Sequence, residues 1–125
     1  MSAVHRSLAG KVLAFELGEE MHLIREQLSG GRDRIARTLV KEGSLRLTLV
    51  GLAPGGGLDE HDAPGPITIH VLEGELELTA GGETGTYAMG ALIAVGRRVR
   101  HAVRSQRGAM FLLTLSTPQS DAEPR

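Results

Sequence analysis

Glycine interrupts the middle of this chain at short intervals. The 125 residues include 17 glycines, and from residue 43 to residue 96 they separate short runs that are rich in Val, Leu, Ile and Thr. The branched residues favour extended strands, whereas glycine marks the turns between strands. Short strands divided by turn residues every ~8–12 positions are typical of an antiparallel sandwich or barrel. The pattern therefore predicts an all-β fold.

The strand pattern is preceded by one helical pattern. We expect strands over residues 34–40, 44–52, 67–72, 75–79, 83–88, 91–95, 99–105 and 110–116, with turns at 41–43, 73–74 and 81–82. Before them, apolar residues recur at helical spacing between Phe15 and Leu28, and Ser29-Gly30-Gly31 ends that pattern. The predicted organisation is an N-terminal segment with a short helix over 1–31, a barrel domain over 32–116 and a disordered tail over 117–125.

Composition excludes several classes of function. Aromatic residues are 2% of the chain and the formal net charge is −1, so we expect neither a stacking platform for nucleic acid nor a basic field for DNA or membranes. Cysteine is absent, which excludes disulfides, thiolate metal sites and a cysteine nucleophile. No apolar run approaches ~20 residues, and residues 1–8 lack the order of a signal peptide. These features predict a cytoplasmic protein that binds neither nucleic acid nor membranes.

Two spacings between glycine and histidine point to a site. Gly55 is followed after five residues by His61, in a stretch that continues to Gly74, and Gly90 is followed eleven positions later by His101. These spacings resemble the two motifs of the cupin family, and the intervening residues have the short length typical of small cupins. The resemblance covers residues 34–116. It implies a single-domain, RmlC-like jelly roll, which is a barrel also described as a double-stranded β-helix.

The resemblance also implies where a metal would be held. The family uses two histidines and a glutamate from the first motif and one histidine from the second. His61 and His101 match two of these positions, whereas Ala63 and Ile67 stand where the family has a histidine and a glutamate. A catalytic divalent metal needs about three protein ligands. A bound Zn, Ni, Mn or Fe would therefore need a further ligand from this chain.

Strand parity tests the two candidates for that third ligand. If Ile67 faces the barrel interior, Ile69 does so too, and His70 then faces out of the cavity toward a second layer or a partner subunit. Parity counted from His61 makes Asp59 its neighbour on the same face. Two alternatives stay open: a metal completed by His70 or Asp59, and an apolar pocket with two hydrogen-bonded histidines.

The same positions outline a ligand pocket. We predict five ligand-binding residues, with Val71 and Leu92 in the surrounding wall: His61, Ala63, Ile67, Ile69 and His101. The alanine and the isoleucine remove the charge that would neutralise a divalent cation. We therefore expect a neutral, partly apolar ligand to which the two imidazoles offer hydrogen bonds.

A basic cluster lies around His101 in the sequence and consists of Arg97, Arg98, Arg100, Arg104 and Arg107. If His101 faces inward, parity directs Arg98, Arg100 and Arg104 away from the pocket. We expect these side chains to face water or to pair with outward acids such as Glu75 and Glu77 across a sheet.

Three functions compete on this evidence. The first is a small-molecule-binding protein, metal-independent or weakly metal-bound. The second is a metal-dependent enzyme, such as a dioxygenase or an isomerase, that uses His61 and His101. The third is a structural or interaction protein whose cavity is filled by side chains. Residues 110–113 are apolar on both parities, so a second apolar face needs cover, and we expect a homodimer to provide it.

Overall fold

One helix and eight strands form the regular structure of the computed structural model, which describes residues 12–117. They are α1 (Leu17–Leu28), β1 (Arg34–Glu42), β2 (Leu45–Leu52), β3 (Gly57–His61), β4 (Ile67–Ala80), β5 (Glu83–Ala88), β6 (Leu92–Val95), β7 (His101–Arg104) and β8 (Ala109–Ser116). The predicted helix is present. Most of the predicted disordered tail, residues 118–125, and the first eleven residues of the N-terminal segment lie outside the described residues.

The strands form one curled antiparallel sheet. Its order is β1-β2-β8-β4-β7-β3, and β5 and β6 each pair with β4. The inner face of the curl encloses an apolar cluster that includes Val50, Ile69 and Phe111. A second cluster lies on the outer face of β1, β2 and β8. This arrangement confirms the predicted all-β jelly roll.

Strand β4 replaces two predicted strands. Glu73 and Gly74 do not form a turn, because β4 runs without interruption through them. The register with β8 shifts between Val71 and Glu73, which marks a bulge that bends the strand. Gly74 has φ +80, and a Cβ there would clash with the Gly108 carbonyl, so this bend requires glycine. The first half of β4 pairs with β6 and β8, and the second half pairs with β5 and β7.

Strand β3 was not predicted, and the first hairpin turn lies later than predicted. In β3 only Leu58 has a large apolar side chain, and the strand is held by its pairing with β7. That partner comes from more than forty residues later in the chain, so the local pattern does not reveal it. The first turn consists of Gly43 and Ser44, because β1 continues through Glu42.

Helix α1 covers much of the outer apolar face. Ile24 is fully buried and packs with Leu39, Leu49 and Met110. Its side chain lies directly over Gly51, where a Cβ would clash with it. The chain's own helix therefore supplies cover for which the sequence suggested a partner subunit. The homodimer stays a prediction.

A buried ion pair also ties the helix to the sheet. The side chain of Arg37 on β1 is 8% exposed, and its Nη2 lies 2.9 Å from Oε1 of Glu20 on α1, whose side chain is 15% exposed. Nε of Arg37 donates to the same oxygen at 3.0 Å.

Within residues 12–117, no helix combines the length and the apolar character that crossing a membrane requires.

Candidate functional site

A bulge in β3 places His61 opposite His101. Leu58 pairs with Val103. His101 lies two residues before Val103 on β7, and a regular antiparallel register would pair it with Glu60, but its partner is His61. One extra residue in β3 therefore shifts the register, and bulges of this kind turn a side chain to the other face of a strand. The parity count that made Asp59 a neighbour of His61 assumes regular alternation, and this shift between Leu58 and His61 interrupts that alternation.

The two imidazoles lie side by side with their Nδ1 atoms occupied. Their ring centroids are 4.4 Å apart and the planes are tilted by 59°. Nδ1 of His61 donates to the Asp59 carbonyl at 2.8 Å, and Nδ1 of His101 donates to the Val99 carbonyl at 3.0 Å. A carbonyl can only accept, so each neutral ring carries its proton on Nδ1 and leaves the lone pair of Nε2 available.

Both rings face a cavity of about 650 Å³ in the mouth of the barrel. His101 is 5% exposed and lies on the inner side of the cavity, whereas His61 is exposed at its rim. A volume of about 300–1,000 Å³ is typical of small-molecule pockets. The deeper wall is apolar and comprises Val50, Leu58, Ile67, Leu113 and Leu115.

Four of the five predicted ligand-binding residues line this cavity: His61, Ala63, Ile67 and His101. Ile69 does not line it, because this residue is 1% exposed and packs deeper in the inner cluster. Val71 is likewise in the core. Leu92 is 68% exposed and occupies the opposite face of β6 from the buried Val95. The structure therefore does not place Ile69, Val71 or Leu92 in the lining of this cavity.

Neither candidate for a third metal ligand reaches the histidine pair. His70 alternates with the buried Ile69 and Val71 and thus points to the outer face of β4. Asp59 takes part only through its backbone carbonyl. Among residues 12–117, no three histidine, cysteine, aspartate or glutamate side chains converge as a metal site would require. Two imidazoles fall short of the usual donor set, so these residues do not fit a tightly held divalent metal.

Three arginines outside the predicted site also line the cavity: Arg32, Arg34 and Arg46. Arg34 lies on β1, and Arg46 lies on β2 with Thr48 on the same face. Strand parity places Arg46 and Thr48 on the opposite face of β2 from Leu45, Leu47 and Leu49. It could not show that the polar face points into the barrel, because that depends on which face the helix covers.

The basic cluster around His101 lies outside this cavity. Arg98, Arg100 and Arg104 are exposed and absent from its wall, as parity predicted. Arg100 lies 3.5 Å from Glu60 across the β3–β7 pair, and Arg104 stands opposite Glu77 in the register of β4 and β7.

Comparison with solved structures shows similar folds. A conserved protein of unknown function from Streptococcus pyogenes is 29% identical, with a TM-score of 0.67 over 71% of this chain and 79% of its own. An RmlC-like cupin from Shewanella frigidimarina is 20% identical, with a TM-score of 0.66 over 74% and 83%. A salicylate 1,2-dioxygenase from Pseudaminobacter salicylatoxidans is 17% identical, with a TM-score of 0.73 over 82% of this chain and 34% of its own.

Similarity at the level of sequence identifies a family but no individual relative. No curated protein matches this chain. The cupin domain family matches residues 48–115, a segment that includes all of β3 to β7, most of β2 and β8, and both histidines of the pair. This match covers more than half of the chain, and the chain therefore belongs to the cupin family.

Proposed function

We propose that this protein binds a small organic molecule in the mouth of its barrel without needing a metal. The observation that carries the proposal is the pair of imidazoles, 4.4 Å apart, which face an open cavity. Backbone carbonyls fix the orientation of both rings. Two oriented acceptors beside an apolar wall are the elements by which a pocket selects a ligand and sets its pose.

A fragment panel with a blocking variant tests this proposal. Neutral, anionic and cationic fragments are screened by ligand-observed NMR against the wild-type protein and against Ala63→Phe, which places a bulky ring in the cavity wall. Ala88→Phe is the matched control, because Ala88 is exposed on β5. We expect binding to the wild type and to the control and its loss in Ala63→Phe. Circular dichroism verifies that all three proteins fold.

Failure of the panel would favour the alternative of a structural protein. If no fragment binds the wild-type protein, or if Ala63→Phe binds fragments as well as the wild type, the cavity is not a ligand site. A structural or interaction role would then fit the fold better.

The second candidate function is a metal-dependent dioxygenase or isomerase. It is favoured by the two Nδ1 hydrogen bonds to backbone carbonyls, because metal-binding histidines commonly donate their other ring N–H in this way. Elemental analysis of purified protein and titration with Zn²⁺, Ni²⁺, Mn²⁺ and Fe²⁺ test it. Binding at sub-micromolar strength by the unmodified protein would establish a metal site and overturn the metal-independent proposal.

A further inference from the structure

The cavity mouth carries an excess of positive charge. Its lining includes Arg32, Arg34 and Arg46 but only one acid, Asp62. The three arginines and the aspartate together carry a formal charge of +2, although the whole chain carries −1. A cleft with a local charge opposite to that of the whole chain concentrates ligands of complementary charge.

The guanidinium groups have hydrogen-bond donors to spare. Nη1 of Arg34 donates to the Gly57 carbonyl at 3.2 Å, which connects β1 to β3 across the mouth. The described part of the chain provides no acidic partner within ion-pair distance of Arg32, Arg34 or Arg46. Each guanidinium has five N–H donors in a planar fork, so most of this capacity is available to a ligand.

Chemical character changes from the mouth to the interior. The hydroxyls of Thr38 and Thr48 accompany the arginines, and the wall beyond them is built of leucine, isoleucine and valine. A small inorganic anion would match the charged mouth and leave this apolar wall without a partner. A hydrocarbon would match the wall but leave the guanidiniums unpaired. A molecule with an anionic end and an apolar body matches both.

We propose that the ligand is an organic acid whose carboxylate lies among the three arginines and whose apolar body lies against the barrel wall. This inference rests on the proposed function and names its ligand class. Arginine suits the role because its planar fork pairs with a carboxylate through two parallel hydrogen bonds. The same positive charge opposes a divalent cation at the neighbouring histidines. The sequence predicted a neutral ligand because that prediction rested on Ala63 and Ile67 alone. It did not include the charge of the three arginines.

A second cavity is less suited to an anion than the arginine mouth, which is the cavity mouth lined by Arg32, Arg34 and Arg46. It measures about 500 Å³ and lies beside the end of α1. Arg25 and Glu73 in its lining pair with each other at 3.1 Å, which leaves Arg107 as its one further charged residue, against three arginines and one acid at the mouth of the barrel. The arginine mouth is therefore the better candidate for anion binding.

Two probes of the same shape and different charge test the ligand class. Benzoate, benzamide and inorganic phosphate are titrated calorimetrically into the wild-type protein at low salt. We expect benzoate to bind at least about ten-fold more tightly than benzamide or phosphate, with a preference that decreases as NaCl is added. Arg32→Gln and Arg46→Gln should each reduce benzoate affinity several-fold. Arg97→Gln, at an exposed position outside the cavity, should leave it unchanged.

Each other outcome overturns a defined part of the inference. Equal binding of benzoate and benzamide removes the anionic preference and leaves the small-molecule site intact. Phosphate binding as tight as that of benzoate removes the apolar body. An effect of Arg97→Gln equal to that of Arg46→Gln places the anion outside the barrel. If none of the three probes binds and the fragment panel also fails, the proposed function fails together with the ligand class.

Discussion

Strand β1 presents arginines to both faces of the sheet, and the two faces use them differently. Arg37 lies on the outer face, beneath the helix, where Glu20 is 2.9 Å away. Arg34 lies on the inner face, at the open mouth of the barrel, where its contact is a backbone carbonyl. A buried charge must be paired to be tolerated. An arginine that is supplied with an acid therefore stabilises this fold, whereas an arginine without one is available to a ligand.

The two apolar clusters also differ, because the outer cluster is closed and the inner cluster opens into a cavity. The outer cluster is closed by α1 around the fully buried Ile24, so its packing serves stability. The inner cluster is filled at its depth by Val71 and Leu76, but it opens into the cavity beside Ile67. If this contrast is correct, the same kind of substitution should have different effects on the two sides.

The largest expected effect is in the closed cluster. Ile24→Ala should lower the free energy of unfolding by about 2–5 kcal/mol, because it leaves an empty volume that the packed surroundings cannot fill. Ile67→Ala should cost less, below about 2 kcal/mol, because it enlarges a cavity that is already open. Urea denaturation of both variants measures the difference. Equal losses would contradict the distinction between a closed and an open cluster.

The second-largest expected effect on stability follows from breaking the buried ion pair between Glu20 and Arg37. Glu20→Gln should destabilise the protein by about 1–3 kcal/mol, because Arg37 would lose its charged acceptor while remaining buried. Glu26→Gln is the matched control on the same helix. Glu26 pairs with His22 at 3.2 Å with both side chains more than 60% exposed, and exposed pairs contribute little. A loss in the control as large as that in Glu20→Gln would show that burial is not the cause.

The smallest effect is at the mouth, and its sign is opposite. Arg46→Gln should leave stability unchanged or raise it by a few tenths of a kcal/mol at low salt, because it removes one of three like charges in the mouth. Thermal unfolding of this variant and the wild type without ligand measures the change. A destabilisation of more than ~1 kcal/mol would mean that Arg46 supports the fold, which would contradict its assignment to a ligand.

The sequence allowed the helix, the inward face of β4 and the histidine pair to be predicted, because each depends on local periodicity or on a motif spacing. The bulge in β3 could not be predicted, since only the pairing with β7 shows that His61, rather than Glu60, stands opposite His101. Gly74 was mistaken for a turn because a glycine at positive φ serves equally well in a bulge within a strand. These errors changed strand boundaries and left the fold class intact.

The charge of the mouth was also beyond the sequence alone. Arg34, Arg37 and Arg46 look alike in the strand pattern, and only the position of α1 decides which face of the sheet is inside. The basic cluster around His101 is visible in the sequence because its arginines are close together in the chain. The arginines of the mouth come from different elements and lie near one another only in the folded barrel.

The most direct test observes the imidazole nitrogens of His61 and His101 while a ligand is added. Long-range ¹H–¹⁵N spectra of chelator-treated protein, assigned with His61→Gln and His101→Gln, report both nitrogens of each ring. Titration with benzoate should shift the Nε2 resonances saturably while the Nδ1–H signals persist, and Zn²⁺ should not bind at sub-micromolar strength. If the imidazole resonances do not shift with benzoate but shift to saturation with one equivalent of Zn²⁺, the result would contradict an organic-acid site and establish a metal centre instead.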